Sequence, residues 1–422
     1  MSKLEQLIEE LCPDGVEYVF LESILISLKT GLNPRKNFAL NTVDAMNYYV
    51  TVREIINGKI VFSEKTDKVN NEGLSLINNR SNLEKGDILF SGTGTVGRTV
   101  VLEDSPLNWN IKEGIYTIKP NQEIIRSKYL GYLLNSSDIC NCYSKKIVGS
   151  PVCSLPMSEL KQIKIPLPPL PVQEEIVRIL DNFTELTAEL TAELTARKKQ
   201  YDYYRDELLT FKDGEAEWKA LEEVIISLKT GLNPRQNFQL NTNDAKGFYV
   251  TVREIQNGNI TFFEKTDRVN ERALKLINNR SNLDAGDILF SGTGTVGRTA
   301  VIDKKPVDWN IKEGVYVIKP MPQVINSRYL SHLLNTDYIV KEYSKKIVGS
   351  PVVSLPMSEL KKLTIPIPPL KEQERIVAIL DKFDTLTTSI SEGLPAEIKA
   401  RKQQYEYYRD KLLTFPKVDK GV

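Results

Sequence analysis

The sequence predicts an α+β protein: two similar globular domains separated by two long antiparallel coiled-coil helices, in a pseudo-two-fold, circular organisation. Three observations predict it. The chain repeats itself after about 200 residues, far beyond the period of a solenoid. Each copy ends in a proline-dense stop, and each stop is followed by a long run with heptad-like apolar spacing.

The repeat is read directly. LKTGLNPR starts at Leu28 and again at Leu228, YVTVREI at Tyr49 and Tyr249, and LINNRSNL at Leu76 and Leu276. GDILFSGTGTVGRT starts at Gly86 and Gly286, YSKKIVGSPV at Tyr143 and Tyr343, and SLPMSEL at Ser154 and Ser354. Residues 21–180 and 221–380 align without a gap, with about 108 identities in 160 positions. Within a copy, IVFSEKT, GDILFSG, RTVVLED and GIYTIKP read as strands between Asn-Gly, Gly and Pro turns. RSKYLGYLLNSS has helical spacing, with Leu130, Leu133 and Leu134 on one face.

IPLPPL (Ile165–Leu170) and IPIPPL (Ile365–Leu370) cannot be helical and read as extended connectors that stop each domain. The run after the first places Ile176, Leu180, Phe183, Leu190, Leu194, Tyr201, Tyr204 and Leu208 on one seam. The second places Ile376, Leu380, Phe383, Ile390, Ile398, Tyr405, Tyr408 and Leu412 there. Such a seam needs a partner, and the other copy's helix supplies one. The copies differ by four residues where the first reads TAELTAEL and the second SISEGLPAEI, so Gly393 and Pro395 are expected to break the second helix. The N-terminal segment resembles the end of a spacer helix, so the C-terminal YYRDKLLTF would meet it if the modules close in a ring. The reading gives a first domain at 1–170 with a helical segment at 1–12, a spacer helix at 171–211 and a second domain at 212–370. A second spacer helix at 371–415 and a tail at 416–422 complete it.

Composition narrows the function. The 422 residues carry 56 Lys+Arg against 55 Asp+Glu and a single histidine, His332. A net charge of +1 gives no bulk argument for nucleic acid, so any basic face is local. One histidine excludes two-His metal motifs. Cys140, Cys142 and Cys153 become Val340, Glu342 and Val353 in the second copy, and His332 replaces Tyr132, so no metal site is expected. Gly92–Gly97 fits G-x-G-x-x-G but is followed by strand-like RTVVLED rather than a helix, which argues against a nucleotide site. No catalytic motif is present. There is no long apolar run and the N-terminus lacks a signal-peptide core, so a cytoplasmic protein is expected.

Three polar loops recur intact and suit phosphate and base contacts. They supply Lys29, Thr30, Asn33 and Arg35; Ser91, Thr93, Thr95 and Arg98; and Lys145, Lys146 and Ser150. Arg53 of the YVTVREI stretch joins them. The second copy supplies Lys229, Thr230, Asn233, Arg235, Arg253, Ser291, Thr293, Thr295, Arg298, Lys345, Lys346 and Ser350.

Two modules that end in I-P-[LI]-P-P-L, then Q-E-x-I-V-x-I-L-D, TAEL units and K-x-Q-Y-x-Y-Y-R-D-x-L-L-T-F, resemble the specificity (HsdS) subunit of type I restriction–modification systems. The resemblance covers essentially the whole chain. It implies two target recognition domains, each reading half of a bipartite double-stranded DNA site, with the helices setting the gap. It implies two adenine methyltransferase subunits and two translocase/nuclease subunits as partners. S-adenosylmethionine, ATP and Mg would reside in those partners, with no cofactor, metal or catalytic residue in this chain and no membrane. Such domains often differ; two so similar predict a near-palindromic site. The same residues also allow a related multisubunit restriction or methylation system, or a coiled-coil protein-binding adaptor.

Overall fold

The computed structural model describes residues 2–418 except 36, 213, 236 and 390–392. It forms two compact units, Met1–Glu189 with Lys399–Val422, and Leu190–Ile398.

The first unit opens with α1 (Lys3–Leu11), whose Ser2 and Glu5 form a capping box. Next come β1 (Glu17–Phe20), β2 (Leu25–Thr30), β3 (Asn47–Val50), β4 (Ile55–Ile56), β5 (Lys59–Ile60), β6 (Lys68–Val69), α2 (Asn71–Ser81) and β7 (Ile88–Ser91). Then follow β8 (Thr99–Val101), β9 (Trp109–Ile111), β10 (Ile115–Pro120), α3 (Ser127–Leu134), α4 (Ser137–Ser144), α5 (Met157–Lys161), β11 (Lys164–Leu167) and α6 (Leu170–Leu208). The second unit repeats this order from Glu217–Ala220 to Thr364–Ile367.

The main sheet runs β2-β10-β7-β8, all antiparallel. Its middle strand β7 is buried on both faces, which the alternation of side chains explains. Ile88 and Phe90 join a core with α3 and the start of α6, while Leu89 joins Val50, Ile55, Val100 and Ile111 on the other side. A smaller sheet, β6-β3-β9, with β3 and β9 parallel, carries α2. Asn57-Gly58 closes the β4–β5 hairpin with both residues at positive φ, as a two-residue turn requires.

Three of the four expected strands form. IVFSEKT does not: beyond Ile60 it turns, with the Ser63 amide donating to Thr66 Oγ1 and the Thr66 amide to the Ser63 carbonyl. Phe62 stacks on Tyr48 instead of extending a ladder. IPLPPL is extended, yet it does not stop the domain. Its first residues form β11 against β1, an edge position that tolerates Pro166, and α6 continues into the core through Val172, Ile176 and Leu180. The buried Gln173 amide fastens that helix to the domain. It donates to the Ile124 and Pro168 carbonyls and accepts from the Arg126 amide, and Gln373 repeats the arrangement.

In the first unit Phe183 of α6 stacks on Tyr408 of the helix Leu394–Leu412, and Tyr405 meets Tyr132. In the second, Tyr201 and Tyr204 pack on Phe383 of the helix Leu370–Thr388. Ile376, Leu380 and Ile398 are buried, and Leu190, Leu194, Leu208 and Leu412 are half-buried; Ile390 lies outside the described residues. The second helix breaks between Thr388 and Leu394, with Pro395 in the new first turn. The circular closure also forms. The Val16 amide donates to the Pro416 carbonyl and the Tyr18 hydroxyl to the Phe415 carbonyl. No helix among the described residues is long and apolar enough to cross a membrane.

Asp87 is a buried charge with a poor partner. Lys119 bonds Glu84 at 2.8 Å and leaves Asp87 at 3.8 Å, and burial pushes the Asp87 carboxyl up to about 6. In the second unit Lys319 donates to both Asp287 oxygens, at 2.8 and 2.9 Å. A folded-state pKa above the ordinary carboxylate value favours the protonated form. Its stabilisation is full below about pH 4 and is lost as pH rises through about 6. Melting temperatures against pH should therefore show Asp87→Asn gaining on the wild type between pH 4 and 7; a constant difference would refute this.

Candidate nucleic-acid interface

One edge of each domain is built from loops that hold one another. The Thr30 hydroxyl ends β2 by donating to the Ile115 carbonyl and accepting from the Gly114 amide. Gly31 lies so close to the Ile111 carbonyl that a Cβ there would stand 1.9 Å from it. The Gly92 amide donates to the Gly114 carbonyl, and the Leu155 amide donates to the Gly92 carbonyl. Thr93 Oγ1 meets Ser154 Oγ at 3.2 Å, and the Gly94 amide donates to the Cys153 carbonyl. The structure thus brings together the three predicted loops, 29–35, 91–99 and 145–150. It adds Trp109–Gly114, the strand β9 with the turn that follows it, which sequence reading missed. The signal was available: WNIKEG recurs unchanged at Trp309–Gly314, and Lys112 is exposed.

The glycine-rich loop connects β7 to β8, so it does not open a helix. Gly97 has φ +98°, and a Cβ there would meet the Tyr143 hydroxyl at 2.3 Å. Its glycines serve backbone conformation and close packing rather than a helix-borne phosphate site.

Several predicted contacts are corrected by burial. Ser91 and Ser291 are fully buried; each hydroxyl donates to the carbonyl of Thr95 or Thr295 and accepts the amide of Arg98 or Arg298. Thr30 and Thr230 are buried in the loop joint. A buried hydroxyl satisfies its neighbours first, so these four residues shape the edge and do not face outward. Arg98 is exposed, but its guanidinium donates to the Val52 and Ile55 carbonyls at 2.9 and 3.0 Å, and Arg298 repeats this. It ties the 52–55 turn to the glycine loop. That turn carries Arg53, which pairs with Asp67 at 3.1 Å, as Arg253 does with Asp267 at 3.2 Å.

What remains outward is Lys29, Arg35, Thr95, Lys145 and Ser150, with Lys112. In the first unit these cations have no ion pair among the described residues, whereas Lys146 bonds Glu159 at 2.6 Å. In the second unit Lys345 pairs with Glu342 at 2.7 Å, because Glu replaces Cys142 there; Lys346 stands 3.9 Å from Glu359. Asn33 and Asn233 are half-buried, their carbonyls accepting the Asn37 and Asn237 amides. Thr293 meets Ser354, and Thr295, Arg235 and Ser350 are exposed, while Lys229 is half-buried. Burial pushes the Tyr343 phenol up to about 12 and raises Tyr143 likewise, so both phenols behind the loops stay protonated near neutral pH.

His332 is placed by the fold where sequence reading gave it no role. Its ring meets Tyr201 at 3.1 Å through one nitrogen and Asp381 at 3.1 Å through the other, with Asp384 beside it. Arg328 reaches Asp381 at 3.4 Å. The first unit keeps the joint differently, the Tyr132 hydroxyl donating to Asp181.

The family model described as the type I restriction modification DNA specificity domain matches residues 13–197 and again 215–400. The chain is 40% identical over 273 residues to the EcoR124I/EcoR124II specificity subunit of Escherichia coli, covering 62% of this chain and 65% of that relative. It therefore spans just under two thirds of that relative's length. It is 31% identical over 412 residues to the Escherichia coli EcoprrI specificity subunit, covering 93% of each. Among solved structures it resembles a chain from a study of assembly and conformational transition of the type I R-M system, with TM-score 0.60 and 18% identity, covering 96% and 98%. It also resembles the type I S subunit from M. genitalium, with TM-score 0.51 and 17% identity, covering 94% and 96%.

Proposed function

The chain belongs to the type I restriction modification DNA specificity family, and from that membership we propose that it is the non-catalytic DNA-reading subunit of a methylation and restriction complex. Each domain reads one half of a bipartite double-stranded site through the loop edge. The spacer helices set the gap and dock two adenine methyltransferase subunits, which would use S-adenosylmethionine. Two ATP- and Mg-dependent translocase/nuclease subunits complete the assembly, in the cytoplasm.

One observation carries the reading of the halves. The segments that build the edge, 26–35, 86–99, 109–114 and 143–152, do not differ at any position between the copies. The segment 36–75, of the same total length, differs at 15 positions, among them Met46/Lys246 and Ser75/Lys275. Surfaces tolerate change unless something is bound. An edge held constant in both copies supports two like half-sites arranged as an inverted repeat, each with an adenine. Mapping methylated adenines in cells that carry the chain with its methyltransferase partner is expected to give a near-palindromic interrupted site. Two unrelated half-sites would overturn the symmetric reading, and no methylation dependent on the chain would overturn the DNA-reading role.

A further inference from the structure

We infer that the turn Val148–Val152, with its counterpart Val348–Val352, is an apolar finger that touches thymine methyl groups in the major groove of each half-site. The inference rests on the reading that this edge faces DNA.

The exposure is the first observation. Val148 and Val152 are 56% and 60% exposed, and Val348 and Val352 are 56% and 61% exposed. Two β-branched apolar side chains stand in water beside the tip of one turn, in both copies, to nearly the same extent. They lie inside the unchanged stretch 143–152, and the very next position already differs, as Cys153 and Val353. Some exposed apolar residues do change, Val43 to Asn243 and Met46 to Lys246, whereas Ile26, at the start of the same edge, stays exposed as Ile226.

The turn is also built to be rigid. The Val148 amide donates to the Ser154 carbonyl and the Ser154 amide to the Val148 carbonyl, both at 2.8 Å. Gly149 has φ +97°, and a Cβ there would meet the Val152 carbonyl at 2.4 Å, so the tip excludes a side chain. The base of the turn is bonded to the glycine loop through Cys153 and Ser154. Rigidity matters because apolar contacts reward only surfaces that are already in place.

Charge names the occupant. The finger belongs to the same loop edge as exposed Lys145, Lys112 and Arg35, which suit a phosphate backbone. Between those phosphates the apolar group that a duplex presents in its major groove is the thymine methyl. Each half-site that offers an adenine also offers its paired thymine.

The test uses the full chain assembled with its methyltransferase partner and a duplex carrying the mapped site, at one fixed salt concentration. Each thymine is replaced in turn by uracil, which removes only the methyl. Wild-type binding should weaken about fourfold at one symmetric position per half-site, the scale of one methyl group. Val148→Ala with Val152→Ala should bind the thymine site more weakly and lose that sensitivity. Val148→Thr with Val152→Thr keeps the shape and one γ-methyl on each side chain and should keep part of that sensitivity, and unchanged melting temperatures would show that both variants fold. Specific binding by the wild type that ignores every uracil, or variants that stay as sensitive as the wild type, would overturn the finger. Failure of the wild type to prefer the mapped site over a scrambled duplex would instead overturn the DNA reading itself.

Discussion

Deleting Thr187–Leu190, one TAEL unit, is expected to shorten the gap of the methylated site by one to two base pairs and to abolish methylation at the original site. The chain passes from one compact unit to the other at Glu189–Leu190, inside the two TAEL units, and α6 is continuous there from Leu170 to Leu208. The Thr187 and Thr195 hydroxyls donate back to the Phe183 and Thr191 carbonyls, so the repeats are ordinary helix. Four residues are about 6 Å of rise and, beyond one full turn, about 40° of rotation. One base-pair step is about 3.4 Å and about 34°. Rotation therefore favours a change of one base pair and rise a change nearer two. Inserting a third unit should lengthen the gap by the same step. Methylation maps of both variants measure it, and an unchanged gap in either would show that the helix does not set the spacing.

Gly31→Ala is expected to unfold the loop edge of the first domain while leaving the second intact. A Cβ at Gly31 would stand 1.9 Å from the Ile111 carbonyl oxygen and 2.8 Å from the Lys112 carbonyl carbon, both backbone atoms. Neither can swing aside as a side-chain end could, so the strands β2 and β9 must part. The cost should exceed about 3 kcal/mol, the upper range of ordinary overpacking. Gly94→Ala is the comparison. Its φ is +83°, but nothing lies within 4 Å of its Cβ position, so only the left-handed backbone is strained, at about 1–2 kcal/mol. Hydrogen exchange should show lost protection in β10 with Gly31→Ala and normal protection in Val315–Pro320. Equal destabilisation by the two variants would refute the steric argument.

Periodicity and repetition made much of this fold legible. The internal copy located both domains, the leucines of α3 announced their buried face, and Gly393 with Pro395 announced the helix break. IVFSEKT failed because a run of seven residues with only three apolar ones, all adjacent, carries too little pattern, and local bonds between Ser63 and Thr66 outweighed strand propensity. The loop edge was legible as a set of chemical types but not as a set of directions. Ser91 and Thr30 have the right hydroxyls and face inward. Trp109–Gly114 contributes exposed Lys112 and lay between two expected strands, RTVVLED and GIYTIKP, without a reading of its own.

By itself the sequence determined what is periodic or repeated: one module and one helix used twice, the circular joining of the ends, and the absence of recognisable catalytic motifs. The tertiary structure alone decided which side chains of the edge are available. Arg98 is bound to the carbonyl of Val52, 46 residues away, and Thr30 to that of Ile115, 85 residues away. Partners so distant along the chain leave no spacing to read, because burial and hydrogen bonding are settled by which surfaces meet after the sheets have packed.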